Sequence, residues 1–262
     1  MVGAVLIDIL QNYKVSNVYA FDINKELINS YNVIKNNVEE LITNLKQKED
    51  EFLVLNNDER KEYYYNVRSI YNNNTKLEDN EQSVDKAVQF IFLNRTCFNG
   101  LYRVNKSGGF NVPMGAYKNP TICDSENLRG LSKLIQNVEF IYGNYYDSEK
   151  YVDESTFVYF DPPYRPLNIT SGFTSYTKED FDDENQKELA DYYTKLNKKS
   201  ACLMLSNSNP KNTNIEDLFF EEIYDKFNIN EIYAKRMINA SSSGRGEISE
   251  LLITNYNNVM NT

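Results

Sequence analysis

The chain has 262 residues, of which 41% are hydrophobic and 25% charged, so it can bury the core of one large domain or of a domain with an insertion. It has no histidine, the commonest general base and metal ligand, so we expect no metal site. Its three cysteines show no paired spacing, so we expect a reducing, cytoplasmic setting. No apolar stretch approaches the ~18–20 residues of a membrane span, and no signal peptide is evident, so we expect no membrane association.

The first half of the chain alternates between helical and strand patterns. Apolar spacing and breaker residues predict helix 2–13, strand 18–23, helix 24–46 behind a cap at Asn24, helix plus loop 56–86, helix 86–98 and an irregular segment 99–122.

Short apolar runs return in the second half. They predict strands at 138–142, 156–160, 201–205, 229–236 and 250–256, with a helix at 178–197. This alternation predicts an α/β fold, a doubly wound sheet covered on both faces. A Ser/Gly loop joins the last two strands, which predicts an antiparallel hairpin. We expect a catalytic domain made of residues 1–54 and 136–262, with an inserted domain at 55–135.

Basic residues concentrate in two windows, although the net charge is −10. Neither window contains an acid, and their members are Lys86, Arg95, Arg103, Lys106 and Lys118 in residues 86–123, and Lys235, Arg236 and Arg245 in residues 232–246. Such windows on an acidic body predict basic patches suited to a polyanion. Chance spacing in solvated loops is the alternative.

Three predicted strands end in polar residues, at Asp22, at Asn144 with Tyr145, and at Asp161. In a doubly wound sheet the functional crevice lies at these carboxyl ends. An acid placed like Asp22 binds ribose hydroxyls in many α/β folds, although it could equally cap the next helix.

The sharpest signal is FVYFDPPYRP, residues 157–166. The amine of a nucleobase is a poor nucleophile, because its lone pair is delocalised into the ring. A carboxylate at Asp161 and a carbonyl at Pro162 could accept its N–H bonds and free that lone pair. The two prolines stiffen the backbone, and Tyr164 could stack on a base taken out of a duplex. A plain Pro-rich turn is the alternative, but the tetrapeptide DPPY arises by chance in roughly one chain in several hundred.

These residues resemble the Dam-type, or D12, class of N6-adenine DNA methyltransferases. The likeness extends to FNGLYRVN at 98–105, GFNVPMG at 109–115, LMLSN at 203–207 and SSSGRGEISE at 241–250. It implies a Rossmann-like sheet that binds S-adenosylmethionine (SAM), an inserted DNA-recognition domain, and methyl transfer to adenine N6 in duplex DNA without a metal or a covalent enzyme intermediate. A cognate restriction endonuclease would be a possible partner.

The resemblance also implies roles by position. Asp161, Pro162, Pro163 and Tyr164 would hold a flipped adenine, and the residues implied for SAM are Gly3, Asp22, Asn144, Tyr145 and Asp161. Asn144 stands where the family usually has Asp, but an amide oxygen can still accept a hydrogen bond from an amino group.

For DNA, the implied residues are Arg95, Asn99, Leu101, Tyr102, Arg103, Asn105, Lys106, Pro113, Lys118 and Arg245. Arg103 matches an arginine that reads guanine, a pairing worth about 1–3 kcal/mol of discrimination. Leu101, Tyr102 and Pro113 fall where the family makes its other base-edge contacts, so the resemblance implies GATC as the leading target. Arg95, Lys106, Lys118 and Arg245 are better suited to phosphate contacts, which position DNA without specifying its sequence.

The family normally begins with a Lys-Trp-x-Gly-Gly-Lys-like element, a strand and a PFxGGG turn, of which this chain matches only the last glycine, Gly3. That strand lies between those ending at Asp22 and Asp161, so its absence predicts a gap in the sheet. A fragment or misplaced start, a strand supplied by a partner or a second copy, or a degenerate relative with little SAM affinity would each explain this.

Two other functions stay open. A DNA-binding protein without SAM would use the same basic face, and an RNA adenine methyltransferase would use the same chemistry. Methylation of protein glutamine is disfavoured, because enzymes of that type usually carry Asn at the position of Asp161.

Overall fold

The computed structural model describes residues 3–73, 82–105, 107–167, 181–234 and 248–257. The chain divides into two compact units, residues 1–148 and 149–262. The first contains α1 (Ala4–Asn12), β1 (Val18–Asp22), α2 (Lys25–Asn36), α3 (Val38–Leu53), α4 (Asn57–Asn73), α5 (Val84–Thr96), α6 (Ser125–Leu134) and β2 (Val138–Tyr142). The second contains β3 (Phe157–Phe160), α7 (Asp183–Asn197), β4 (Cys202–Ser208), α8 (Phe219–Ile223), β5 (Asn228–Ala234) and β6 (Ile248–Thr254).

In the first unit, β1 and β2 pair in parallel, with Asp22 opposite Tyr142. Both strands were predicted from their short apolar runs. The Gly143 N–H donates a 3.2 Å hydrogen bond to the Asp22 carbonyl, so the two strand ends stay together beyond the ladder.

The helix predicted at 24–46 is two helices that meet at Asn37. The predicted cap is confirmed, because the Asn24 side chain accepts a hydrogen bond from the Leu27 N–H. The helix stops at Asn37, where φ is −132°. Asparagine has a low helix propensity, which is consistent with a break at Asn37 that apolar spacing alone does not show.

One hydrophobic core fills the first unit. Helices α2 to α5 supply most of it, and its fully buried members include Val33, Leu41, Leu45, Tyr64, Ala87, Phe92, Ile135 and Val138. Segment 55–135 packs into this same core. Helix α6, which was not predicted, begins at an Asp124 cap that accepts a hydrogen bond from the Asn127 N–H.

The second unit is built on a mixed sheet of order β3-β4-β6-β5. Strands β3 and β4 are parallel, and the predicted antiparallel pairing of the last two strands, β5 and β6, is confirmed. Tyr193 of α7 is fully buried against the sheet, where its hydroxyl donates to the Leu203 carbonyl at 3.0 Å. Helix α7 begins at Asp183, behind a capping box formed by Asp182 and Asn185. The short helix α8 was not predicted.

The molecule is therefore α/β with mixed pairing, as predicted. Within the described ranges its strands form two hydrogen-bonded sheets, β1-β2 and β3-β4-β6-β5, and the single doubly wound sheet stays a prediction. Strands β1 and β3 each lie at an edge of their sheet. Among the helices in those same ranges, none has the length and apolarity to cross a membrane.

Candidate active site

The DPPY turn, residues 161–164, follows β3 directly in the second unit. Ser206 of the neighbouring strand β4 lies beside it, and its hydroxyl donates to Asp161 Oδ1 at 3.5 Å. The same hydroxyl lies 2.8 Å from the Tyr159 hydroxyl. Parallel pairing of β3 with β4 thus brings a polar group to the carboxylate that the sequence singled out.

Asp161 is exposed at the surface of its unit, but protein atoms crowd its carboxylate. This partial desolvation raises the pKa of Asp161; the Ser206 hydrogen bond lowers it, and the negative charge of Glu250 raises it further. A partly desolvated carboxylate gains more from a hydrogen-bond donor than a fully solvated one, so the site suits a ligand that carries N–H groups.

Tyr164 projects next to Asp161 and is 39% exposed, which leaves part of its ring accessible. Its hydroxyl donates to Glu250 Oε2 of β6 at 3.3 Å. Burial, opposed by a hydrogen bond with Ser206, raises the pKa of Tyr164 to about 12, so the phenol stays protonated near neutral pH. The Glu250 contact restricts the ring that would stack on a base.

Buried polar side chains support the turn. Gln186, which has no exposed surface, donates to the Pro163 carbonyl at 3.0 Å. Asn207, equally buried, donates to Gln186 Oε1 at 3.2 Å and accepts from the Arg165 N–H at 3.0 Å. Helix α7 and strand β4 therefore hold the turn together.

The predicted SAM residues Asp22 and Asn144 lie at the carboxyl ends of β1 and β2 in the first unit. Asp22 Oδ1 accepts the Asn24 N–H at 2.7 Å, and Asp147 Oδ2 accepts the Asn144 N–H at 2.8 Å. A side chain at Gly143 would place its Cβ 2.7 Å from that Asp147 oxygen, so the Asp147 side chain would have to move to admit it.

This strand edge suits a nucleoside. Asp22 could accept hydrogen bonds from hydroxyl groups, and the exposed amide of Asn144 could bind the edge of a base. The ring of Tyr145 could pack on the face of the base, and its centroid lies 4.1 Å from that of Tyr146. Within the ranges that the structure describes, no group of three or more Cys, Asp and Glu side chains is arranged to hold a metal ion.

Gly3 begins α1 in the left-handed region, with φ of +82°, and a Cβ there would lie 2.5 Å from the Tyr31 hydroxyl. Tyr31 stacks on Phe140 with ring centroids 4.6 Å apart. Burial, and to a smaller extent the Asp22 charge, raises the pKa of Tyr31. Gly3 and Asp22 therefore both lie near Tyr31.

The predicted DNA-recognition residues lie mostly on a doubled-back segment, the 97–115 hairpin. Its arms are joined by bonds from the Phe98 N–H to the Pro113 carbonyl and from the Asn111 N–H to the Arg103 carbonyl, at 2.9 and 3.0 Å. Asn72 of α4 anchors it by bonding both the N–H and the carbonyl of Phe110.

The hairpin exposes some of the predicted residues and packs others. Exposed residues are Asn99, Leu101, Asn105 and Pro113, and also Phe98, which the sequence analysis did not select. Tyr102 packs its ring between Phe90 and Phe110, at centroid distances of 5.5 and 5.8 Å. Arg103 is half-buried, and its Nε donates to Asn111 Oδ1 at 2.7 Å.

Of the first basic window, Arg95 and Lys118 are exposed. Lys86 is only 5% exposed; its ammonium group donates to the Tyr71 carbonyl at 2.7 Å, so it belongs to the core and adds nothing to a basic surface. Lys106 and the second window from Lys235 through Arg245 lie outside the described residues.

The structure adds residues that the sequence analysis missed. Ser206 and Gln186 contact the DPPY turn, but serine and glutamine in a strand and a helix carry no local signal of that role. Phe98 on the hairpin is 52% exposed, and Tyr117 just after it is 44% exposed. Exposed aromatic residues among basic ones could have been selected as base-stacking candidates.

A family profile described as the D12 class of N6 adenine-specific DNA methyltransferases matches residues 2–238. The chain is 52% identical to the Type II methyltransferase M.MjaIII of Methanocaldococcus jannaschii, over 97% of this chain and 85% of that protein. It is 41% identical to the Type II methyltransferase M1.LlaDCHI of Lactococcus lactis, over 90% and 78% of the two chains. The DNA adenine methylase of Vibrio cholerae is 34% identical, over 88% and 77%.

Proposed function

The chain belongs to the D12 class of N6 adenine-specific DNA methyltransferases, and on that premise we propose that it methylates adenine in duplex GATC sites, with SAM as donor and the base flipped into the DPPY turn. The observation that carries this proposal is the turn itself. A partly desolvated carboxylate and an accessible aromatic ring follow β3 side by side, and Ser206, Glu250 and Gln186 hold them in place.

The DPPY turn would bind the acceptor amine. Asp161 and the Pro162 carbonyl would each accept one N–H of the amine, which draws the nitrogen towards a pyramidal geometry and exposes its lone pair. Tyr164 would stack on the base. The bound donor supplies an electrophilic methyl group on a positively charged sulfur, and the protein residues orient the nitrogen that receives it.

The donor would be held at the ends of β1 and β2. Asp22 would accept hydrogen bonds from the ribose hydroxyls, Asn144 would bind the edge of the adenine, and Tyr145 would pack on its face. The joined strand ends and the bond from the Asn144 N–H to Asp147 support this assignment, because they keep the acid and the amide on one edge.

Target recognition would fall to residues 55–135, chiefly to the 97–115 hairpin. The Asn111 bond aims the Arg103 guanidinium, which suits it for bidentate reading of guanine. Exposed Leu101 and Pro113 would touch base edges, and Arg95 and Lys118 would neutralise phosphates. Since two relatives are named Type II methyltransferases, we also propose a cognate restriction endonuclease.

The test is methyl transfer from radiolabelled SAM to two duplexes, one with GATC and one with those bases scrambled. We expect label on adenine N6 in the GATC duplex alone, and loss of that label in Asp161→Ala while DNA binding persists. Lys195→Ala, which removes an exposed ion pair with Glu149, is the control and should methylate normally.

Turnover that survives Asp161→Ala would overturn the proposed chemistry. Equal labelling of both duplexes would overturn the target. A matched RNA duplex, added as competitor, separates a DNA enzyme from an RNA enzyme. GATC-selective binding without any SAM binding would identify a DNA-binding protein instead.

A further inference from the structure

Arg165 follows Tyr164 directly, and two carboxylates hold its guanidinium group. Its Nε and Nη2 bond both oxygens of Asp183, at 2.7 and 3.0 Å, and its Nη1 bonds Asp217 Oδ2 at 2.7 Å. The guanidinium also lies over the Phe219 ring, 4.3 Å from its centroid. This arrangement, the Arg165 clamp, connects the start of α7 with the segment that leads into α8.

The backbone of Arg165 is fixed as well. Its N–H donates to Asn207 Oδ1 at 3.0 Å, and its carbonyl accepts from the Ser208 hydroxyl at 2.6 Å. Asn207 and Ser208 end strand β4, and both are buried. One residue therefore makes hydrogen bonds to three separate elements of the second unit, through its side chain and both of its backbone groups.

The Arg165 clamp is less exposed and makes more hydrogen bonds than an ordinary surface ion pair. The Arg165 side chain is 20% exposed, against 45% for Arg129 in its bidentate pair with Glu39. At Asp217, partial burial opposes ionisation, but the hydrogen bonds from Arg165 and the Phe219 N–H and the arginine charge outweigh it, so the pKa of Asp217 is lowered. The hydrogen bonds to the two carboxylates likewise raise the pKa of Arg165, so Asp217 and Arg165 are both charged at neutral pH.

The Arg165 clamp lies directly after the DPPY turn. The DPPY turn is fixed at its near end, because Phe160 pairs with Leu205 in the sheet. Proline rings restrict φ at positions 162 and 163, but they leave ψ and the backbone of Tyr164 adjustable. Gln186 holds the turn at the Pro163 carbonyl, and Arg165, the first residue beyond the turn, holds its far end.

We propose that Arg165 is a positioning residue for methyl transfer, whose clamp to Asp183 and Asp217 fixes the exit of the DPPY turn and so aims the Pro162 carbonyl and the Tyr164 ring. This rests on the proposed role of the turn in holding the acceptor adenine. Reactive geometry is sensitive, since a misplacement of about 1 Å can slow a reaction about 100-fold.

The test is a rapid-quench single-turnover measurement on the full chain, with saturating SAM and GATC duplex. It separates the rate constant, which reports geometry, from the amplitude, which reports the fraction of competent molecules. We expect Arg165→Ala to lower the rate constant about 100-fold, with little change in amplitude or in SAM and DNA affinity. Lys195→Ala, on the same helix as Asp183, should keep the wild-type rate constant.

Arg165→Lys tests the geometry of the clamp. An ammonium group keeps the positive charge but lacks the planar fork that reaches both oxygens of Asp183 and also Asp217. We expect thermal stability close to wild type with a rate constant still well below it. Restoration of the full rate constant by lysine would show that charge alone suffices, and would overturn the positioning role.

A second pair of variants applies if Arg165→Ala does not fold. Asp183→Asn and Asp217→Asn weaken the clamp from either side, and each should lower the rate constant; wild-type rate constants in both would overturn the proposal. A reduced amplitude with an unchanged rate constant in these variants would also overturn the proposal, because it would show that the clamp has only a structural role. Asp161→Ala, measured in parallel, tests the proposed function itself: surviving turnover there rejects the DPPY chemistry, whatever the Arg165 variants do.

Discussion

The side-chain amide of Gln186 donates a 3.0 Å hydrogen bond to the carbonyl of Pro163, in the middle of the DPPY turn. Gln186 is fully buried in α7, and its own oxygen accepts a hydrogen bond from Asn207. Because prolines have no N–H to anchor them, the turn depends on carbonyl acceptors for its attachment to the fold. The DPPY turn, which would hold the acceptor adenine, is thus supported by buried side chains of the core.

The first prediction concerns this support. Gln186→Ala leaves the Pro163 carbonyl and the Asn207 amide without this partner in a buried setting, so we expect a loss of about 1–3 kcal/mol in the free energy of unfolding. Urea denaturation of the full chain measures this loss. Lys187→Ala, at the next and exposed position of α7, should change stability by less than about 0.5 kcal/mol. Equal effects of the two substitutions would contradict a supporting role.

The second prediction concerns the pKa of Asp161, which is higher in the folded protein than the ordinary value of 3.8. A raised pKa of an acid means that its ionisation costs stability, a cost that is absent below the unfolded-state pKa and grows as the pH rises through the folded-state pKa. Asp161→Asn should therefore unfold at a higher temperature than wild type at neutral pH, while losing methyl transfer. The difference should vanish as the pH falls towards 3.8.

Asp153→Asn is the matched control, and its expected effect on stability is opposite to that of Asp161→Asn. Hydrogen bonds from Ser155 and Thr156 lower the pKa of Asp153, so its ionised form stabilises the fold above the unfolded-state pKa. The asparagine variant should be less stable than wild type at neutral pH. This account would be refuted if the Asp153→Asn variant were more stable than wild type, or if the Asp161→Asn variant had the unfolding temperature of wild type at every pH.

The third prediction concerns Ser206, whose hydrogen bond favours the ionised form of Asp161. Ser206→Ala removes that bond, so the pKa of Asp161 should rise further. The acidic limb of the pH dependence of kcat/KM should then move to higher pH, because the carboxylate protonates sooner. Ser155→Ala removes a similar bond, to Asp153, before β3, and should leave the profile in place. Coincident profiles for Ser206→Ala and wild type would exclude Asp161 as the titrating group.

The fourth prediction distinguishes a residue that reads the base sequence, on the 97–115 hairpin, from a residue that contacts phosphate, just after it. Arg103→Ala should cost about 1–3 kcal/mol of discrimination at one guanine and relax specificity there. Lys118→Ala should weaken binding to all duplexes alike and reduce the salt dependence of binding by the equivalent of about one phosphate contact. Titrations against GATC and singly substituted duplexes at two salt concentrations measure both. Uniform weakening by Arg103→Ala would assign that residue to phosphate.

The fifth prediction concerns Gly143. An added methyl group would displace the Asp147 carboxylate and cost its hydrogen bond to the Asn144 N–H, worth about 0.5–1.5 kcal/mol. We expect Gly143→Ala to raise the SAM dissociation constant roughly two- to tenfold, measured by titration calorimetry. Gly130→Ala, in a helix with nothing within 4 Å of the new methyl group, should leave SAM affinity unchanged. Unchanged affinity in both variants would remove this turn from the SAM site.

The sequence by itself determined the strands, most of the helices, the DPPY turn and the pairing of β5 with β6. Each follows from local physics: apolar periodicity, the restricted φ of proline, the Asn24 cap, and a Ser/Gly-rich connection whose composition disfavours a helix. The family resemblance, carried by short motifs, agrees with the matching profile over residues 2–238.

Only the tertiary structure decided which groups surround the turn. Ser206, Gln186 and Asp217 lie far from residues 161–164 in the chain, and they meet it because β3 pairs with β4 and α7 packs on that sheet. Likewise, Lys86 is basic in sequence but buried beneath Tyr71. Burial and side-chain partners depend on strand register and packing across long sequence separations, and local patterns carry no record of either.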